Sequence, residues 1–219
     1  MGHIFGVAMT DVCILLHGIE TDPRNRIWSE QVQARYQRIT PIQLIPRQYG
    51  YVSGIAVWFS AFKRREVVDH EETYFRGVPG QVFGLFDDIE PGTKVHFVGH
   101  SLGDYIGHAL LKRGIKFGCY ASLWGSSVAD FNWHAVDGNF DRARVYWSPE
   151  DEILTASSVA VDEDPELALG LMGKEGPQIA HPRVEAIKEP FGFKLHTSFM
   201  DDTPERDKFW ADMFQWMES

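Results

Sequence analysis

Residues 95–110 read VHFVGHSLGDYIGHAL, and no other stretch restricts the fold so tightly. An apolar run ends at Val98, Gly99-His100-Ser101-Leu102-Gly103 follows, and apolar residues then recur at 102, 105, 106, 109 and 110. The first part has the pattern of a buried strand and the last that of an amphipathic helix. Only a very tight turn joins the two, and glycines at 99 and 103 give it room while Ser101 takes a strained backbone conformation. Such a turn lifts a serine hydroxyl off the C-terminal edge of a sheet and places it at a helix N-terminus, where free N–H groups favour developing negative charge. Gly103 and Gly107, four apart, let that helix lie close to the sheet.

The rest of the chain repeats the strand-then-helix rhythm. Val12–Leu16 (VCILL), Ile42–Pro46, Lys94–Val98, Phe117–Trp124, Ala143–Trp147 and Val184–Ile187 are strand candidates. Arg26–Ile39 carries Trp28, Val32, Tyr36 and Ile39 at helical spacing, and Glu163–Met172 is expected to be helical. Tyr51–Asp88 reads as helical in pieces. The last helix is capped by Thr203 with Pro204 in its first position, and Phe209, Trp210, Met213, Phe214 and Met217 form its apolar face. Alternation of this kind predicts an α/β fold: about six mostly parallel strands with helices on both faces. At 219 residues the expectation is a single domain spanning 1–219.

A serine hydroxyl is a weak nucleophile without a base, so the turn directs attention to a histidine and an acid. His181 and His196 both follow the last long strand candidate before the C-terminal helix; His196, in the loop feeding that helix, is preferred. After Trp147 the chain runs Ser148-Pro149-Glu150-Asp151-Glu152-Ile153, which leaves three carboxylates in contention. Asp151 is preferred, because an alternating segment would turn 151 and 153 one way and Glu150 and Glu152 towards solvent. His3, His70, His108 and His134 read as ordinary core or surface histidines.

With these features the sequence resembles the α/β-hydrolases, in particular their lipase and serine-esterase branch. Carrying the likeness are Leu15-Leu16-His17-Gly18-Ile19 after the first strand, the Gly99–Gly103 turn, the Ser148–Ile153 acid turn and the His196 loop, with a weaker echo in the glycine-rich Leu169–Pro177. The resemblance implies a catalytic triad of Ser101, Asp151 and His196, with an oxyanion hole formed by the backbone N–H groups of Ile19 and Leu102. It implies hydrolysis of a carboxylic, lipid-like ester by way of an acyl-enzyme, on a small-molecule acyl substrate and without a cofactor or metal. Two positions depart from the pattern: Asp104 stands where many relatives have a second glycine, and Glu20 follows the oxyanion residue, where it is expected to turn away or pair with Arg24 or Arg26. The short N-terminal lead and the brief gap between the fourth and fifth strands imply a near-minimal core without a large cap domain. Any lid would then come from Gly125–Asp141 or Thr155–Pro182.

Composition narrows the partners. Thirty-one acidic against 21 basic residues give a net charge of −10, which phosphate backbones and anionic bilayers repel, so no nucleic-acid partner is expected. The basic run Lys63-Arg64-Arg65 reads as a solvated helix face. Two cysteines, Cys13 and Cys119, suit buried free thiols rather than a disulfide framework. The longest uncharged stretches, Gln48–Phe62 and Phe117–Ala129, fall short of the ~18–20 residues a spanning helix needs. No secretory signal is apparent, and a cytoplasmic location is expected. The sequence does not speak to oligomeric state.

Other chemistries fit less well. A serine nucleophile argues against dehalogenase or epoxide hydrolase activity, while thioesterase, amidase and acyltransferase activities share the triad. A non-catalytic binding protein on the same scaffold is the alternative of a different class. His70-Glu71-Glu72-Thr73-Tyr74 has the start of a zinc-protease motif but ends in tyrosine where the second histidine belongs. Neither a phosphate-binding lysine loop nor a dinucleotide fingerprint is present. Trp124 and Trp147 lie near strand ends, where they would either wall a site or pack the core.

Overall fold

A computed structural model describes residues 11–18, 28–47, 61–80, 83–157 and 169–219. Six strands make one sheet: β1 (Val12–Leu16), β2 (Gln43–Arg47), β3 (Val95–His100), β4 (Phe117–Leu123), β5 (Phe140–Trp147) and β6 (Val184–Lys188). All neighbours pair in parallel, in the order β2-β1-β3-β4-β5-β6. The order reverses between β1 and β3, so the C-terminal ends of those two strands open a crevice, the usual place for a site in an open α/β sheet.

Period-two alternation sorts each strand between two cores. Val12, Ile14, Leu16 and Phe97 face α2 (Ala61–Arg76), the short α3 (Leu85–Asp88) and α4 (Leu102–Lys112), while Cys13, Leu15 and Val98 face α1 (Trp28–Tyr36) and α7 (Pro204–Glu218). Burial on both faces explains why the strands read as unbroken apolar runs. Gly103 lets α4 settle on β1: a Cβ there would stand 2.4 Å from the Leu16 carbonyl oxygen. Thr203 caps α7 by accepting the Arg206 N–H, with Pro204 at the first turn.

Several expectations need correction. The segment after Asp151 is not extended; a helix, α5 (Glu152–Ser157), starts there and leaves Ile153 exposed. Asp151 is therefore turned inward by the corner of the chain, not by strand alternation. Gly125–Asp141 is no lid, because Phe131, Trp133 and Val136 are buried in the core beside α4. In Lys63-Arg64-Arg65 the middle residue is buried, so the run is not a wholly solvated face. Glu71, in the partial zinc-protease motif, is held by the Arg47 guanidinium at 3.0 and 3.2 Å. The expected helix at Glu163–Met172 falls mostly outside the described residues; within them, α6 covers only Met172–Glu175. Ile19, Glu20 and most of Gln48–Phe62 also lie outside them, and no cap domain stands over the sheet among the described residues.

Candidate active site

At the end of β3, Ser101 adopts φ 55° and ψ −120°, a conformation that costs a non-glycine residue of order 1–3 kcal/mol. Its backbone is pinned on three sides. The Ser101 N–H donates to the Leu123 carbonyl, and its own carbonyl accepts the N–H groups of Asp104 and Ser126, each at 3.1 Å. Leu102, the first residue of α4, has a backbone N–H without an intrahelical partner. The loop after β1 comes in close beside it: a Cβ on Gly18 would lie 2.7 Å from the Ser101 Cβ and 3.3 Å from its Oγ. Only glycine permits that approach.

The preferred histidine and carboxylate meet in the structure. His196 Nδ1 and Asp151 Oδ2 are 2.7 Å apart, and both residues are buried. Asp151 Oδ1 also accepts the Leu154 N–H at 3.1 Å, so the carboxylate is fixed at both oxygens. With Nδ1–H committed to Asp151, neutral His196 keeps Nε2 as its proton acceptor. Glu150 and Glu152 are exposed, and Glu150 pairs with Lys194 at 2.8 Å, a second tie between acid turn and histidine loop. His181 is engaged elsewhere, by Asp137 at 2.8 Å.

The glycine-rich stretch braces this arrangement. Gly173 donates to the Gly125 carbonyl at 2.8 Å and accepts the Ser148 N–H at 2.9 Å. It thereby links the loop behind Ser101 to the turn that carries Asp151. A side chain has no room there, since a Cβ would stand 2.3 Å from the Trp124 carbonyl carbon.

The surroundings of two buried groups beside the serine turn were not legible in the sequence. The first is His100, buried between His196 and the apolar rings of Trp28 and Phe199. Burial holds its pKa well below the usual histidine range, and neighbouring His196 lowers it further. Strand alternation carried the signal, because His100 shares a face with Val98, the face on which α7 and its feeding loop pack. The second is Asp104, fully buried behind the serine turn. His108 Nδ1 lies 3.2 Å from Asp104 Oδ1, and the Tyr120 hydroxyl donates to the same oxygen at 2.9 Å. Burial opposes its charge, but His108 and the Ser127 and Ser122 hydroxyls outweigh it and hold its pKa below the usual carboxylate range.

A groove of about 500 Å³ lies between α1 and α7, lined by Trp28, Arg35, Tyr36, Phe199, Arg206 and Trp210 among others. Trp28 and Phe199 separate it from His100. Trp124 stacks on Phe199 with ring centroids 5.5 Å apart, and is fully buried rather than walling an open site. Among the described residues no cluster of three or more His, Cys, Asp or Glu side chains is placed to hold a metal ion. No helix among them is long and apolar enough to cross a membrane.

No family model matches the chain, and no curated relative matches it. Solved structures do. TT1662 from Thermus thermophilus aligns over 97% of this chain and 91% of its own, at 15% identity and a TM-score of 0.46. A dienelactone hydrolase-like promiscuous phosphotriesterase from metagenomic libraries aligns over 98% and 88%, at 11% identity and a TM-score of 0.44. ESTFA, in an Fe-lacking apo form, aligns over 95% and 75%, at 10% identity and a TM-score of 0.38. The parallel order β2-β1-β3-β4-β5-β6, with a strained serine turn leading from β3 directly into a helix, gives this chain the α/β-hydrolase fold.

Proposed function

We propose that the protein is a serine hydrolase that cleaves a carboxylic ester through Ser101, His196 and Asp151. The observation that carries this reading is the buried 2.7 Å pair of His196 and Asp151, on a loop that also contacts His100, the residue before the strained Ser101. Structural sites rarely combine backbone strain at a serine with an oriented buried imidazole.

In the proposed reaction Ser101 Oγ attacks the acyl carbonyl while His196 Nε2 takes its proton. Asp151 keeps the imidazole in the Nδ1–H tautomer and stabilises the imidazolium. The tetrahedral oxyanion is met by the Leu102 N–H and by that of Ile19, the residue after Gly18; each such donor is worth about 3 kcal/mol in the transition state. His196 returns the proton to the leaving alcohol. Water, deprotonated by the same imidazole, then releases the acid and restores Ser101. The chain's own residues complete the cycle, so no cofactor is invoked.

The test is labelling by a fluorophosphonate probe together with hydrolysis of an ester series from acetyl to palmitoyl, with a thioester and an anilide beside it. Wild type should be labelled and Ser101→Ala should not. Equal labelling of both would sink the reading. A preference for the thioester or the anilide would reassign the leaving group within the same triad, and turnover of none, without labelling, would favour a binding protein on this scaffold.

A further inference from the structure

We propose that His100 is a positioning residue for the base, a role that rests on the reading of His196 given above: its Nε2–H donates to the main-chain carbonyl of His196 and fixes the loop that presents the imidazole to Ser101. The two atoms are 3.0 Å apart. A carbonyl oxygen only accepts, so His100 carries its proton on Nε2. The bond spans 96 residues of sequence, joining the serine turn directly to the backbone of the base. Among the described residues no strand or helix bond does this work for the loop, where the Ser198 N–H to Leu195 carbonyl bond is short-range and the Leu195 N–H donates to the Ser198 side chain.

The surroundings of His100 suit that task. Its ring centroid lies 4.6 Å from that of His196, 4.9 Å from that of Phe199 and 6.2 Å from that of Trp28, which stands nearly perpendicular to it. His17 from the end of β1 and His196 from the loop are the titratable groups acting on it; Trp28 from α1 and Phe199 from the turn before α7 are apolar. Burial keeps His100 uncharged. A neutral neighbour leaves the positive charge that develops during acylation to His196 and its Asp151 partner. An arginine or lysine here would supply a donor but oppose that charge. Histidine gives a rigid, neutral donor whose ring also packs against Phe199.

His100→Phe and His100→Met remove the donor in two different shapes, and His100→Gln restores an N–H of similar reach. Loss of the bond should lower kcat about 10- to 100-fold with KM little changed, as expected for a misplaced catalytic group. His100→Gln should recover activity to within about tenfold of wild type, the scale of one hydrogen bond. A second readout does not depend on turnover: imidazole nitrogen shifts should place the proton on Nε2 of His100 and on Nδ1 of His196. The His196 tautomer should become mixed in His100→Phe and return to Nδ1–H in His100→Gln. Full kcat and an unchanged His196 tautomer in both donor-less variants would overturn the proposal. So would a His100→Gln variant as impaired as His100→Phe, because ring shape would then matter and the N–H would not. If wild type neither hydrolyses esters nor takes the probe, yet the His196 tautomer follows the residue at 100, the positioning role stands and the hydrolase reading fails.

Discussion

Asp151 holds His196 with one carboxylate oxygen, at 2.7 Å, and the first turn of α5 with the other, through the Leu154 N–H at 3.1 Å. The same side chain thus orients the imidazole and starts a helix. Asp151→Asn separates the two roles. The amide oxygen can still accept one of these bonds, so the fold should persist, but an amide N–H facing His196 favours the wrong tautomer. The expected result is a fall in kcat of roughly 10³- to 10⁴-fold, with a melting temperature close to wild type. Steady-state ester hydrolysis and circular dichroism check it together, and a variant with more than a tenth of wild-type kcat would remove Asp151 from the triad.

Gly18→Ala tests the approach of the β1 loop to the nucleophile. The new methyl group would stand 2.7 Å from the Ser101 Cβ and 3.0 Å from the His100 carbonyl oxygen, so either the loop or the serine turn must move. A shift of about 1 Å at an oxyanion donor is enough to cost on the order of 100-fold in rate. We expect kcat to fall by that amount and fluorophosphonate labelling to slow in parallel, while β1, paired on both sides, keeps the sheet intact. Unaltered labelling kinetics would mean that this loop does not serve the site.

The contrast between Ser101 and Asp151 shows what a single sequence can carry. Ser101 was legible because strand, glycine turn and helix are contiguous, and each has a local pattern that constrains the others. His196 was chosen by chain order, and the fold sets it 2.7 Å from Asp151. The choice of Asp151 over Glu150 and Glu152 rested on an extended segment, whereas the chain turns a corner and enters α5. A pattern of three carboxylates in a row does not say which of them starts a helix: Asp151 does so through the Leu154 N–H, and the turn before it is held by a distant residue, Gly173, whose carbonyl accepts the Ser148 N–H. Asp104 read only as a departure from the family pattern and His108 as an ordinary histidine; that they pair, four apart on α4, depends on their burial beside Tyr120 and Ser127, contributed by β4 and the loop beyond it. Charge pattern alone placed Lys63-Arg64-Arg65 in solvent, whereas Arg64 is buried in the fold.

Cys13 and Cys119 should behave as inert thiols. Both are buried, and burial, together with the proximity of Cys119, drives the Cys13 thiol far above its ordinary range. Burial also raises Cys119, against the pull of the Arg142 guanidinium, whose Nε lies 3.2 Å from Sγ. Thiolate is the reactive form, so native protein should give no fast reaction with a disulfide reagent at pH 8. In denaturant both cysteines of the chain should titrate. A fast-reacting thiol in the folded protein would show that one face of the sheet opens.

Asp104 gives the stability of the fold a defined pH dependence. Its partners hold the folded-state pKa below the ordinary value of 3.8, so the folded protein binds its proton more weakly than the unfolded chain does. The resulting stabilisation is fully present above pH 3.8 and disappears as the pH falls through the lower, folded-state value. Asp104→Asn removes the charge and leaves His108 and Tyr120 facing an amide, which should cost roughly 3 kcal/mol at neutral pH, the scale for breaking a buried pair. Urea titrations of both proteins between pH 7 and pH 2.5 make the comparison. The gap should narrow as the pH falls from 3.8 through the folded-state value of Asp104. A gap of the same size at pH 2.5 as at pH 7 would mean that Asp104 acts through shape and hydrogen bonding, with no contribution from its charge.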